Sequence, residues 1–283
     1  MIENGSDQER LARRLAGRFS EFSTVEAIAL GGSQALGVTD PSSDVDLYVY
    51  TTSVIPLSAR EVLVQSAGAS RADLNLQLWD LGDEWFDAET GIEVDAIYWE
   101  PAWIEGQLDR LWRQHQASLG YSTCFWHTIR YSRVLYDRHG WFRALQEKSL
   151  QPYPEALRKA IVAKNHSVLR RVIPSYVHQI EKACHRRDLV SVNHRVAALL
   201  ASYFDVLFAL NRMLHPGEKR QVERALQHCA RLPANMPGQL DAVLGAACSA
   251  DRTLLVHIHS FLDGLDELLL AEGFDPATSL PAS

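Results

Sequence analysis

Residues 1–120 contain no lysine. That stretch carries twenty Asp and Glu against eight Arg, a net of −12, whereas residues 121–283 carry fifteen acidic and twenty basic residues, a net of +5. The chain as a whole stands at −7. It lacks the sustained positive surface needed to wrap a long nucleic acid, because phosphate binding is driven by just such a surface.

Cysteine is scarce too. Cys124, Cys184, Cys229 and Cys248 lie 60, 45 and 19 residues apart, with no CxxC pair and no Cys/His grouping at structural-zinc spacing. A disulfide scaffold and a zinc module are both excluded, which leaves single thiols of a reducing compartment. Long apolar runs are missing as well. The most apolar stretch, 197–210, is 14 residues long and includes Ser202 and Asp205, too short and too polar to span a bilayer. The first eight residues are polar and acidic and hold no apolar signal core. The expectation is a cytoplasmic chain with no membrane partner. There is no internal repeat and no low-complexity segment.

What is present is an ordinary globular composition, 47% hydrophobic and 22% charged over 283 residues. That length is about twice a common domain, so two units are expected. Leu11, Leu15 and Phe19 recur at helical spacing. Val25 to Leu30 is a strand-like run ending at Gly31-Gly32-Ser33, followed by the turn signal Thr39-Asp40-Pro41-Ser42-Ser43. From Asp44 to Thr51 the residues alternate: Val45, Leu47 and Val49 take one face, and Asp44, Asp46, Tyr48 and Tyr50 the other. A helix over 58–67, strands over 72–79 and 92–99 and a helix over 102–116 complete an α/β pattern. Between those strands, 80–87 reads as a loop of acids and aromatics. A short strand at 133–140 and a helix at 141–150 precede a hinge, Gln151-Pro152-Tyr153-Pro154. Helical periodicity then dominates to about residue 272. The reading is an α/β (α+β) domain with a mixed sheet over 1–120, followed by a mainly helical bundle over 121–283.

The chemistry concentrates in Gly31-Gly32-Ser33, ten residues, then Asp44-Val45-Asp46-Leu47. Asp44 and Asp46 are two apart on a strand, so their carboxylates leave the same face. Like charges held together are unfavourable until a divalent cation neutralises them, and an oxygen donor set with open positions suits magnesium. Gly32 and Ser33 mark a strand end whose free amides and hydroxyl can hold phosphates. A third carboxylate is expected from Asp95, in the strand-like run Ile92-Glu93-Val94-Asp95, as metal ligand or proton acceptor. Glu93, on the same face, is the rival for the base role.

This pattern, Gly-Ser, about ten residues, Asp-x-Asp with a following apolar residue and a later strand carboxylate, resembles the nucleotidyltransferase superfamily related to DNA polymerase beta. It looks most like the small-molecule branch, which includes aminoglycoside and lincosamide nucleotidyltransferases. Leu135-Tyr136-Asp137-x-x-Gly140 is also similar to that branch. The phrase from Leu210-Asn211 to Pro216-Gly217-Glu218-Lys219-Arg220 resembles bacterial proteins of uncharacterised function.

The resemblance implies transfer of a nucleoside monophosphate from a nucleoside triphosphate, ATP being the expected donor, with pyrophosphate leaving. It implies two magnesium ions, metal binding by Asp44, Asp46 and Asp95, and phosphate binding by Gly32 and Ser33. Lys219, near a helix start after Pro216-Gly217, is read as a triphosphate contact, against the plainer reading of a solvated first turn. Trp79, Trp85 and Phe86 with Asp80, Asp83, Glu84 and Asp87 are read either as core and loop anchors or as an acidic, aromatic wall for a cationic acceptor. The acidic first part favours a small-molecule acceptor over a polyanion. The alternatives are nucleotidylation of a protein or a tRNA end, and a non-catalytic nucleotide- or partner-binding module.

Overall fold

The computed structural model describes residues 6–32, 44–78, 80–249 and 252–275. The chain forms two compact units. The first comprises Met1–Leu108 and Thr128–Gln151, the second Asp109–His127 and Pro152–Ser283. The chain therefore passes between them three times.

In the first unit, helix α1 (Asp7–Phe19) starts at Ser6, whose hydroxyl accepts from the Glu9 amide at 3.2 Å. It buries Leu11, Leu15 and Phe19. Strands β1 (Val25–Leu30) and β2 (Val45–Thr51) follow, then helix α2 (Leu57–Ser66), strands β3 (Ala69–Leu76), β4 (Gly82–Asp87) and β5 (Glu93–Trp99), helix α3 (Pro101–Trp112), helix α4 (Cys124–Tyr131), strand β6 (Arg133–Asp137) and helix α5 (Trp141–Ser149). The six strands form one mixed sheet in the order β3-β4-β5-β2-β1-β6. Only β2 and β5 run parallel among the paired strands; the other pairs are antiparallel.

The alternation read along β2 is realised. Val45, Leu47 and Val49 are buried with Val94 and Ala96 of β5 against Leu11, Leu15, Phe19, Leu63 and Val64, the apolar sides of α1 and α2. One sheet face is thereby closed by helices, and the opposite parity of β2 and β5 is left for Asp46, Tyr48, Asp95 and Ile97. Residues 133–137 join the sheet beside β1, and the turn after them is built by two features. Asp137 accepts from the Arg143 amide at 3.0 Å, and Gly140 takes a left-handed φ of 77° that favours glycine. The phrase Leu-Tyr-Asp-x-x-Gly thus closes a strand and opens a helix.

Residues 80–87 correct the loop expectation. From Gly82 on they form β4, whose inward acids are internally paired: Asp83 binds Arg60, accepts from the Tyr98 hydroxyl at 2.7 Å and caps the Asn75 amide at 2.8 Å. Asp87 pairs with Arg14 and accepts from Thr90. The strand reads as a polar loop because a buried charge with its partner looks, in sequence, like a solvated one.

The second unit is helical: α4 lies partly within it, followed by α6 (Glu155–Arg170), α7 (Tyr176–Arg186), α8 (Leu189–Leu210), α9 (Gln221–His228), α10 (Met236–Ala246) and α11 (Arg252–Ala271). Its core contains Tyr203, Phe204, Leu207 and Phe208 of α8 with Phe261 and Leu265 of α11. Buried Asp205 accepts from the Ser122 amide and hydroxyl at 3.0 and 2.6 Å and from Asn165 at 3.0 Å. Pro174 and Pro216-Gly217 fall between helices, while α4 was not anticipated. No helix among the described residues is long and apolar enough to cross a membrane.

Candidate functional site

The site is built where four strands present acids on the face opposite α1 and α2. Asp46 on β2 lies in register with Asp95 on the parallel β5. Asp95 is in turn opposite Glu84 on the antiparallel β4, and Glu84 is opposite Asp73 on β3. Cross-strand partners point to one face. A row of carboxylates therefore crosses the sheet from β2 to β3. Asp44 stands just before β2, two residues from Asp46, and Glu93 opens β5, two residues from Asp95.

The electrostatics record this crowding. Asp95, partly buried, has its carboxyl pushed up to about 7, first by burial and then by the negative charges of Asp46, Glu84, Asp44 and Glu93. All five influences act in the same direction. A carboxylate so placed is stabilised by a neighbouring cation.

The head of β2 also dictates the glycines. The Gly31 amide donates to the Asp46 carbonyl at 2.9 Å, and a Cβ on Gly31 would strike the Tyr48 ring. Gly32 has a φ of +61°, and a Cβ there would collide with the Asp46 carboxylate. Gly31 lets the chain lie against the Tyr48 ring and Gly32 lets it lie against the Asp46 carboxylate, the close backbone approach that a phosphate-binding turn requires. Ser33 and the turn signal at 39–43 lie outside the described residues.

Of the expected site residues, Asp44, Asp46, Asp95 and Gly32 are brought together, with Glu93 exposed at the edge of the group. Lys219 belongs to the second unit. It is exposed and sits immediately before Arg220, whose left-handed φ of 57° introduces α9. Glu84 was missed as a member of the row. Its signal was the alternation Asp83, Trp85, Asp87 against Glu84 and Phe86, which marks a strand and puts Glu84 on the acidic face.

Of the residues expected for an acidic, aromatic wall, Glu84 and Phe86 face the acids, while others are drawn into the core. Trp85 is 2% exposed and packs in the core beneath α1 and α2, while Asp83 and Asp87 are buried pairs. Asp80 accepts from the Trp99 indole at 3.0 Å. Trp79 lies outside the described residues. Aromatics do occupy the site face beyond the acids: Tyr48 stacks on Trp99, with centroids 4.7 Å apart, and Trp103 lies beside Trp99.

Among the described residues, no three carboxylate, imidazole or thiol groups already converge as a cage for a metal ion. The donor set nevertheless fits magnesium, which is ordinarily held by one or two carboxylates together with water and substrate phosphates. Asp46 and Asp95, side by side and mutually repelling, are such a pair.

The mixed sheet sets Asp-x-Asp beside a carboxylate on a parallel neighbour, next to the Gly31-Gly32 turn. Residues 12–108, about a third of the chain, match the family model described as a nucleotidyltransferase domain. Residues 125–220 match a second model, described as a domain of unknown function (DUF4037). Among solved structures, a nucleotidyltransferase-like protein from Exiguobacterium sibiricum 255-15 is 13% identical, with 93% of this chain and 75% of that one covered at a TM-score of 0.43. The Thermotoga maritima CCA-adding enzyme complexed with tRNA is 15% identical, with 95% and 67% covered at a TM-score of 0.35. A comparison with curated proteins finds no match.

Proposed function

We propose that the protein is a magnesium-dependent enzyme that moves a nucleoside monophosphate from a nucleoside triphosphate, ATP by preference, to a hydroxyl of a small acceptor, cationic or neutral. The observation that carries this reading is the in-register pair Asp46 and Asp95, with the Asp95 carboxyl raised to about 7 by burial and by its acidic neighbours.

Asp44 and Asp46 would hold magnesium, with Asp95 as a third carboxylate. Bound there, the metal supplies positive charge to the triphosphate and lowers the cost of ionising the acceptor hydroxyl. Gly32, lying against Asp46, leaves room for a phosphate at the backbone, and Ser33 is assigned to the same role. A carboxylate of the row, Asp95 or Glu93, takes the hydroxyl proton as the acceptor oxygen attacks the α-phosphorus. The bond from that phosphorus to the bridging oxygen breaks, and pyrophosphate leaves. Lys219 is assigned to the triphosphate as a point charge.

The net of −12 over residues 1–120 supports a cationic or neutral acceptor, since a polyanion would be repelled. The test is incubation with α-labelled nucleoside triphosphates, magnesium and a panel of small hydroxyl compounds, followed by mass spectrometry. A small product heavier by one nucleoside monophosphate supports the reading. Label found only in protein or tRNA would replace the acceptor class, and nucleotide binding without pyrophosphate release under any condition would replace the enzyme by a binding module.

A further inference from the structure

Strand β3 ends the sheet: it pairs with β4 on one side, and among the described residues no strand pairs with its other side. Residues 70–73, at its centre, are all exposed. Its register is irregular before Arg71 and after Asp73, so the regular open edge is the short stretch Arg71-Ala72-Asp73, whose backbone donors and acceptors can meet a further strand. The side chains indicate which strand fits. Arg71 and Asp73 lie on the same face, 3.2 Å apart and both well exposed, with Ala72 between them. If two copies of β3 pair antiparallel about a two-fold axis through Ala72, Arg71 of each copy stands opposite Asp73 of the other. Two opposite-charge cross-strand pairs form at once, and no like charges meet.

The other face of the same strand carries Ala72 where the axis passes, beside a groove of mixed polar and apolar lining. Ala72 and Leu74 line, with Leu57, Glu61, Val64 and Gln65, a groove of about 410 Å³ between β3 and α2. The pairing lays Ala72 against its own copy and continues this groove across the axis. We propose that β3 is the dimer edge of this protein, joining two copies into one continuous sheet. This stands independently of the transferase reading.

The test is the oligomeric state of the full chain by sedimentation velocity at physiological ionic strength, over a wide range of protein concentration, for the wild type, R71D, D73R and the double variant R71D/D73R. Both singles place like charges opposite each other twice, whereas the double variant restores the pairing with its signs exchanged. The expected result is a wild-type dimer, association weakened at least about tenfold in each single variant, and recovery in the double variant. Hydrogen exchange gives a second readout that does not depend on substitution: amides of residues 69–74 should be protected at high concentration and lose that protection on dilution. A wild type that stays monomeric, or single variants that dimerise like the wild type, would overturn the proposal.

Discussion

Asp46 and Asp95 stand opposite each other on the two parallel strands of the sheet, and Asp95 holds its proton up to a pH of about 7. This relationship has consequences for stability as well as chemistry. In the unfolded chain the group returns to its ordinary carboxylate range, so the folded state binds the proton more tightly. The stability it contributes is complete at low pH and is lost as pH rises through about 7. In magnesium-free buffer, the Tm of Asp95→Asn minus that of the wild type should therefore grow between pH about 5 and about 8. Added magnesium should shrink the difference by stabilising the wild type. A difference that stays flat with pH would contradict the assignment.

The neighbours of Asp95 are ranked. Glu84, directly across the antiparallel pair, raises its pKa more than Glu93 does. Glu84→Gln should therefore lower the Asp95 titration midpoint further than Glu93→Gln, measured by carboxyl-carbon NMR. Burial acts in both variants, so in neither should the midpoint fall to that of a free aspartate.

Gly32 tests the turn. With a φ of +61° and the Asp46 carboxylate where a Cβ would go, Gly32→Ala must move the carboxylate or the backbone. The strain costs on the order of 1–2 kcal/mol. Activity should fall by more than the modest change in denaturant midpoint accounts for, because the displaced group is one of the site's own carboxylates.

In the helical unit, Asp205→Ala removes the acceptor of the Ser122 amide, the Ser122 hydroxyl and Asn165. Buried donors left without a partner cost roughly 1–3 kcal/mol each, partly recovered by relaxation, so a loss of about 2–4 kcal/mol is expected in urea unfolding.

Much of the site was legible because strand period writes faces into sequence: the Asp44, Asp46 and Tyr48 parity of β2 is the polar face of the folded sheet. Asp95 was legible for the same reason. Glu84 was not, since the run Gly82–Asp87 carries three charges in six residues and reads as solvated. Only the fold shows that Asp83 is matched by Arg60 and Tyr98 beneath the sheet, leaving Glu84 to face upward. Trp85 takes the core-anchor reading of the two the sequence left open. The sixth strand, 133–137, was readable as a strand, but its place beside β1 is a long-range pairing that no local pattern encodes.

The most direct test of the account is pyrophosphate release with magnesium, ATP and the acceptor panel, comparing wild type with Asp46→Asn. The account predicts acceptor-dependent release by the wild type and a rate lower by about 10²–10⁴-fold in the folded variant. Equal rates in the two proteins would contradict it.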